Sequence, residues 1–327
     1  MKRMIASTET PTLASPIVSR SGADADPLGS VTRGRWDWKL IASLTAVYVI
    51  WGSTYLAMKV AMHDLPPLLM ASMRFASAGM VLLLVALHRG AAWPTARDWI
   101  SVAPVGALLF LGGNGFIAIA QGTIPSGATA VCAAMMPLWM GVLAWITGEK
   151  PTSREWVSLV IGFVGILVLM GGPSLAGDPL HIVLLLLAPA AWALGSIIAR
   201  RLSSPATKDV FMLSAMEMIT GGIVLFVVGA LRGESIPHHV GAKSWLALAY
   251  LWVAGSLIAF TAYSWLLRNT RPVIATSYAY VNPSLAVVLG AALSGEPLGI
   301  TTVVANVLMV IAIWLALSKA RAAAHQA

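Results

Sequence analysis

Long apolar stretches, interrupted by short polar or charged connections, take up most of the chain from residue 39 onward. Ten can be marked off by charges, Pro and Gly: Lys39–Val60, Pro67–Leu87, Trp99–Gln121, Ser126–Thr147, Glu155–Met170, Leu180–Ala199, Val210–Leu231, Trp245–Leu267, Val273–Ser294 and Ile300–Ser318. A bilayer core about 30 Å thick needs roughly 20 residues of helix at ~1.5 Å each. Each stretch therefore predicts one helical crossing, numbered span 1 to span 10. Strands of a membrane barrel would alternate with period two in short segments, which these continuous runs do not do. The predicted fold class is an all-α integral membrane protein with ten transmembrane helices.

Composition points the same way. Of 327 residues, 58% are apolar and 10% charged, and mean hydropathy is +0.82; a soluble domain is about 45–50% apolar and about 25% charged. The single cysteine, Cys132, lies inside a span and says nothing about redox compartment. Residues 1–38 are polar, rich in Ser, Thr, Pro and Gly, and lack the apolar core of a signal peptide, which predicts a disordered cytosolic tail. Residues 319–327 form a short C-terminal tail. Little is left outside the bilayer in which a soluble catalytic domain could fold.

The formal net charge of +8 would suggest nucleic acid in a soluble protein, but here it carries topology. Seventeen Lys and Arg fall on the side of the N-terminus, three (Lys59, Arg232, Lys243) on the other, and Arg74 lies inside span 2. Both termini are then cytosolic, in agreement with the even number of spans. The expected partners are the lipid bilayer and a small-molecule substrate, with no nucleic acid. A ten-helix monomer is sufficient, and the oligomeric state is left open.

The chain also repeats itself. A shift of 143 lays span 2 on span 7, pairing Met73 with Met216, Gly79 with Gly222, Arg89 with Arg232 and Gly90 with Gly233. A shift of 147 lays spans 4 and 5 on spans 9 and 10, pairing Pro125 with Pro272, Thr129 with Thr276, Gly148 with Gly295 and Glu149 with Glu296. Residues 39–172 and 179–318 are thus two five-helix repeats. Five is odd, so the second must be inverted in the membrane, the plan of secondary transporters whose site lies near the midplane between halves. No G-x-x-x-x-G-K-[ST] loop is present to couple transport to ATP.

Particular motifs carry a family resemblance: IWGSTYLAMKVA in span 1, PPLLMASMRFASAG in span 2, IPSGATAV opening span 4 with a mid-helix Pro and a Gly-Glu exit, and Gly-Glu-Pro after span 9. Together they resemble the drug/metabolite transporter superfamily, specifically EamA-type exporters of ten helices, in the YedA-like inner-membrane branch. The resemblance covers residues 39 to 318 and implies export of small metabolites across the inner membrane by alternating access, with amino acids, including aromatic ones, prominent among cargoes. It implies no cofactor and does not fix a substrate.

Candidate site residues follow from depth and chemistry. Arg74 and Glu217 are equivalent under the shift of 143, and each lies near mid-depth, where charge is costly and faces a cavity or a partner. Arg74 either attracts a substrate carboxylate or joins a structural pair; Glu217 either binds an amine or a coupling proton, or is that pair's other member. Tyr48, Trp51, Tyr55 and Lys59 share one face of span 1, a stripe suited to stacking and cation–π contacts or to plain helix packing. Tyr278, Tyr280 and Asn282 precede Pro283, which frees a carbonyl about halfway through span 9. Pro137, after Met135 and Met136, interrupts span 4. Asn114 among glycines in span 3 either faces a cavity or bonds a neighbouring helix. Trp192 and Tyr263 are the aromatic candidates of the second half. Glu149 and Glu296 end spans 4 and 9, where structural or gating roles, such as capping the following helix, fit best.

Other classes remain on the table. An intramembrane enzyme would need a nucleophile with a base, a metal cluster or paired carboxylates; neither H-E-x-x-H nor G-x-S-x-G occurs, so no catalytic or metal residues are expected. Within the transporter class, an exporter of drugs or other toxic metabolites is the alternative to an amino-acid exporter.

Overall fold

The computed structural model describes residues 38–120, 132–169, 178–282, 285 and 300–323, and every regular element among them is helical. In chain order they are α1 (Trp38–Ala61), α2 (Pro67–His88), α3 (Ala96–Ala120), α4 (Met136–Ile146), α5 (Ser153–Leu169) and α6 (Pro179–Arg201). A single helical turn, Pro205–Lys208, leads into α7 (Val210–Leu231), followed by α8 (Ala242–Asn269), α9 (Pro272–Ala275, resuming over 278–282) and α10 (Ile300–Ala323). Six of these, α1, α2, α3, α6, α7 and α8, are long and apolar enough to cross a membrane. The expected tail over residues 1–37, the first residues of span 4, and positions Pro283 and Glu296 lie outside the described residues. Helix α10 runs to Ala323, so part of the expected C-terminal tail is its last turn.

Local chemistry sets the helix ends. Helices α2 and α7 stop in the same way: Gly90 and Gly233 take φ of +82° and +75°, and the following amides reach back to the Ala86 and Gly229 carbonyls at 3.0 Å. Gly148, at φ +99°, ends α4 likewise. Such left-handed caps satisfy carbonyls that the helix leaves open and strain any residue with a Cβ. At the start of α3, Thr95 and Asp98 form a capping box in which Asp98 Oδ2 accepts from the Thr95 amide at 2.8 Å.

Its counterpart α8 has Gly241 and Ser244 at those positions. There the carboxylate comes from the α1–α2 connection: Asp64 Oδ2 accepts from the Gly241 amide at 2.9 Å and from the Ser244 hydroxyl at 2.7 Å. The Ser244 bond foremost, then His63 and the Gly241 amide, hold the Asp64 carboxyl down at about 2.

The halves meet through their counterpart helices. A Cβ on Gly79 of α2 would lie 2.8 Å from the Ala215 carbonyl oxygen and from Ile219 Cγ1, and one on Gly222 of α7 would lie 2.8 Å from the Ala76 amide nitrogen. Ser72 donates to the Gly222 carbonyl at 2.8 Å. Gly79 matches Gly222 and Ala76 matches Ile219 under the same shift, so the contact is reciprocal, as across a twofold axis. Positions rise along α2 as they fall along α7, so the two helices run antiparallel. Helices α5 and α10 do the same, with Gly165 against the Ala305 carbonyl and Ser158 donating to the Ala312 carbonyl at 2.7 Å. Antiparallel counterparts are what an inverted repeat requires.

Within its described part, span 9 is interrupted at Thr276 and Ser277. Helix α9 breaks after Ala275, where Thr276 Oγ1 takes the Pro272 carbonyl at 2.9 Å and Ser277 Oγ the Ile274 carbonyl at 2.7 Å. Backbone bonds then shorten to i→i+3, from Ala279 to Thr276 and from Tyr280 to Ser277. The Thr276 and Ser277 amides reach the same two carbonyls at 3.1 and 3.2 Å, so each hydroxyl adds a second bond and is itself satisfied within the apolar medium.

The contact predicts that Gly222→Ala costs about 1–3 kcal/mol, because backbone must move. Gly90→Asn should cost far less, since nothing lies within 4 Å and Asn tolerates the left-handed region. Thermal unfolding of purified protein, followed by Trp fluorescence, checks this; equal midpoints for the two variants would contradict the contact.

Candidate substrate site

Helices α3 and α8, counterparts in the repeat, are interrupted at equivalent places. Ala107–Gly115 and Leu251–Phe260 are π-helical, a wider winding that frequently marks functional sites. Each slackened turn is pinned by a side chain five residues on: Asn114 Nδ2 donates to the Leu109 carbonyl at 3.4 Å and Ser256 Oγ to the Leu251 carbonyl at 3.2 Å. Half-buried Asn114 thus bonds its own helix, with no bond to a neighbouring helix among the described residues.

Onto each π segment leans a tryptophan from the other half. A Cβ on Gly113 would fall 2.4 Å from Trp192 Cε3, and Trp51 Nε1 donates to the Gly255 carbonyl at 3.2 Å. Trp51 and Trp192 sit at equivalent depth in α1 and α6, and their rings meet edge to face, centroids 5.7 Å apart. Tyr263 lies 5.2 Å from Trp51, and Tyr278 4.7 Å from Trp51. The Tyr263 hydroxyl accepts from Trp192 Nε1 at 3.1 Å and shares a 2.7 Å bond with Ser196. Four aromatic rings from α1, α6, α8 and α9 thereby close on one another at the centre of the bundle, each contact adding about 0.5–1.5 kcal/mol beyond its buried area.

Asn282 fixes one wall of this cluster. With its amide assigned in the orientation that its surroundings require, the nitrogen donates to the Tyr48 and Tyr278 carbonyls, 3.1 Å each, while the Tyr48 hydroxyl bonds Ser277 at 2.7 Å. Tyr280 points elsewhere: its hydroxyl donates to the Leu159 carbonyl at 3.0 Å and its ring covers Gly162 of α5. Pro137 stands in the first turn of α4, after a turn at Ala134–Met135. Tyr55 lies on α1, but its side chain is outside the described residues.

The two buried charges are not paired with each other. Arg74 Nε donates to Ser256 Oγ at 2.7 Å, and its guanidinium carbon lies 4.4 Å from the Phe75 ring centroid. Gly255 leaves the space: a Cβ there would sit 2.8 Å from Arg74 Nη2. Glu217, 2% exposed, has an Oε1 with no hydrogen-bond partner among the described residues. Nearby on the same helix, the Ser214 hydroxyl is likewise buried and unmatched.

On the face with most of the basic residues, arginines tie helix ends together. Arg200, ending α6, donates to the Leu267 and Thr270 carbonyls at 2.6 and 2.8 Å; Arg268, ending α8, returns bonds to the Ala199 and Leu202 carbonyls at 3.2 and 3.1 Å. Glu149 joins this latch through Arg200 at 2.8 Å. The carboxylate that caps α5 is instead Glu155, which accepts from the Thr152 amide at 2.6 Å and is also held by Arg271. From the sequence these arginines inform only topology, and Gly255 and Ser256 do not stand out. Alignment of Trp51 with Trp192 and of Asn114 with Ser256 is the signal that could have found the rest.

Comparison with known proteins is consistent over both halves. The model of the EamA-like transporter family matches residues 38–171 and again 179–318. The inner membrane transporter YedA of Escherichia coli (strain K12) is 40% identical over 260 residues, 79% of this chain and 84% of that one. Protein PecM of Dickeya dadantii is 25% identical over 74% of this chain and 80% of its own length. The transporter YvbV of Bacillus subtilis is 26% identical over 85% and 92%. A solved crystal structure superposes with a TM-score of 0.71 at 20% identity, over 87% of this chain and 99% of the other, which speaks to fold alone.

The latch makes a graded prediction. Glu149→Gln removes a half-exposed ion pair and should cost under about 1 kcal/mol, whereas Arg200→Gln also strands two carbonyls and should cost about 1–3 kcal/mol more. Thermal unfolding of both variants is the check, and equal losses would mean that the ion pair alone matters.

Proposed function

The chain belongs to the EamA-like transporter family, and from that premise we propose that it exports small metabolites, foremost amino acids including aromatic ones, by alternating access between its halves. The carrying observation is the cluster of Trp51, Trp192, Tyr263 and Tyr278, built from both halves at the centre. Rings that now satisfy one another by edge-to-face and tilted contacts present the same edges and faces to an aromatic or amphipathic solute once the halves part. Asn282 and the Tyr263 hydroxyl supply the polar contacts that would orient it.

Alternation has a concrete form in the pairing of equivalent positions. In this state Arg74 meets Ser256, whereas Glu217, the equivalent of Arg74, makes no bond to Asn114, the equivalent of Ser256. The state facing the other way exchanges these roles, opening the arginine latch and bringing Glu217 toward α3. Glu217 is then the group whose protonation is coupled to the cycle. The protein resides in the inner membrane with both termini cytosolic, placing the latch at the cytosolic face, as the distribution of basic residues implies. It acts as a transporter and carries out no catalysis.

Flux from proteoliposomes loaded with single radiolabelled amino acids, with and without a pH gradient, tests this reading. Saturable efflux of some of them, accelerated by the gradient, is expected; if none moves faster than from empty liposomes, the amino-acid assignment fails and drugs or other metabolites become the cargo to test. Trp51→Ala and Asn282→Ala should each lower flux at least about tenfold, since a ring contact or an orienting hydrogen bond is lost, and unchanged flux in both would remove them from the site. Glu217→Gln should abolish the pH dependence, and a variant that retains it would remove Glu217 from coupling.

A further inference from the structure

On the flank of the bundle, between α2 and α8, lies a groove of about 540 Å³, within the size range of small-molecule sites. Met73 and Arg74 on one side and Trp245, Leu248, Ala249 and Trp252 on the other line it. Trp245 and Ala249 are exposed on the outer surface of the bundle. Both helices are membrane-crossing, so this groove opens toward hydrocarbon, and whatever fills it must be soluble there.

Ser77 also lines it, its hydroxyl donating back to the Met73 carbonyl of its own helix, and the other polar side chains are donors. Arg74 uses Nε on Ser256, and its other guanidinium nitrogens have no acceptor among the described residues. Trp252 Nε1 is buried and also lacks an acceptor. No carboxylate lines the groove. A fixed cation and an indole N–H without acceptors, in a place that water reaches poorly, call for an anionic acceptor. The apolar walls call for an aliphatic or aromatic body attached to it.

We propose that this groove binds an amphipathic organic monocarboxylate reached from the bilayer, its carboxylate on Arg74 and Trp252 and its apolar body against Met73, Leu248 and Trp245. The site is distinct from the central aromatic cluster, from which Gly255 separates it, and its occupancy does not depend on whether the protein exports amino acids.

Equilibrium binding tests it without transport. Purified protein in nanodiscs is titrated with an ω-bromo long-chain carboxylic acid, whose bromine quenches tryptophan on contact, and in parallel with its methyl ester and the matching alkylammonium. Saturable quenching by the acid alone is expected. Trp245→Phe should remove most of that quenching, and Arg74→Met should weaken apparent affinity at least about tenfold, the worth of one charge-assisted hydrogen bond, with Arg74→Lys intermediate. Because Arg74→Met risks misfolding, Ala249→Trp provides a second test: it fills the groove from its exposed rim and should abolish saturable quenching while thermal stability is kept. Equal quenching by acid and ester, or wild-type affinity in Ala249→Trp, would overturn the proposal. Competition by anionic phospholipid in the nanodisc, but not by added acid, would assign the groove to lipid and overturn it too.

Discussion

The glycine contact between α2 and α7 fixes the geometry on which everything else hangs. In hydrocarbon there is no hydrophobic drive between helices, so close approach has to come from small residues that let backbones touch. Gly79 and Gly222 do so reciprocally, and Gly221 and Gly106 extend the contact, a Cβ on Gly221 falling 2.7 Å from the Gly106 carbonyl oxygen. Helix α3 is thereby set against α7. On the other side Arg74 of α2 reaches Ser256 of α8. The positions of α3 and α8, which hold the π segments, follow from how tightly α2 and α7 are pressed together.

From there the site is a matter of where backbone groups become available. An α-helix in a membrane consumes its own polar groups and offers a substrate little. The π segments change this at two equivalent points, and what takes advantage differs: Trp51 uses the Gly255 carbonyl, while Trp192 uses the bare surface of Gly113. At the break after Ala275 the Thr276 and Ser277 hydroxyls turn back onto the Pro272 and Ile274 carbonyls beside their own amides, and Asn282 then ties the Tyr278 carbonyl to that of Tyr48. Three interruptions, in α3, α8 and α9, border one aromatic cluster.

How much of this could be read from the chain depends on the range of the interactions. Spans, caps and repeat are written in composition and spacing: Gly90 and Gly233, matched by number alone, adopt the same positive φ, and Gly79 and Gly222, matched the same way, form the central contact. Trp51, Trp192 and Tyr263 were identifiable because an aromatic residue at mid-depth has few places to go. The π windings were not, since their residues are as apolar as any helix and the extra residue per turn is absorbed by tertiary packing. The direction of Tyr280, toward α5 and away from the cluster, follows a break after Ala275 that nothing in the spacing of the span marks. Glu149 was expected at a helix cap and is found on Arg200, while Glu155, three residues past Thr152, fulfils the capping pattern that the sequence also contains.

The departures from symmetry carry their own meaning. A perfectly repeated chain with inverted halves would hold both facing states at equal free energy, so any preference has to arise where the repeats differ. Three such differences lie on the described helices. The capping carboxylate of α3 is its own Asp98, whereas α8 borrows Asp64 from the first half and so is tied to the α1–α2 connection. The position that is Arg74 in α2 is Glu217 in α7, and among the described residues the arginine makes a side-chain hydrogen bond while Oε1 of the glutamate makes none. Arg200 and Arg268 exchange carbonyl bonds between α6 and α8, both of the second half, while Glu149 brings in the first. Each of these favours the arrangement seen, and among the described residues none has a counterpart of the same kind that would favour the opposite-facing one. A buried carboxylate oxygen without a donor is the opposing element, since its desolvation is unrelieved here and would be relieved by any rearrangement that gives it a proton or a partner. The balance between that one unsatisfied group and the borrowed cap and latch decides how readily the halves exchange.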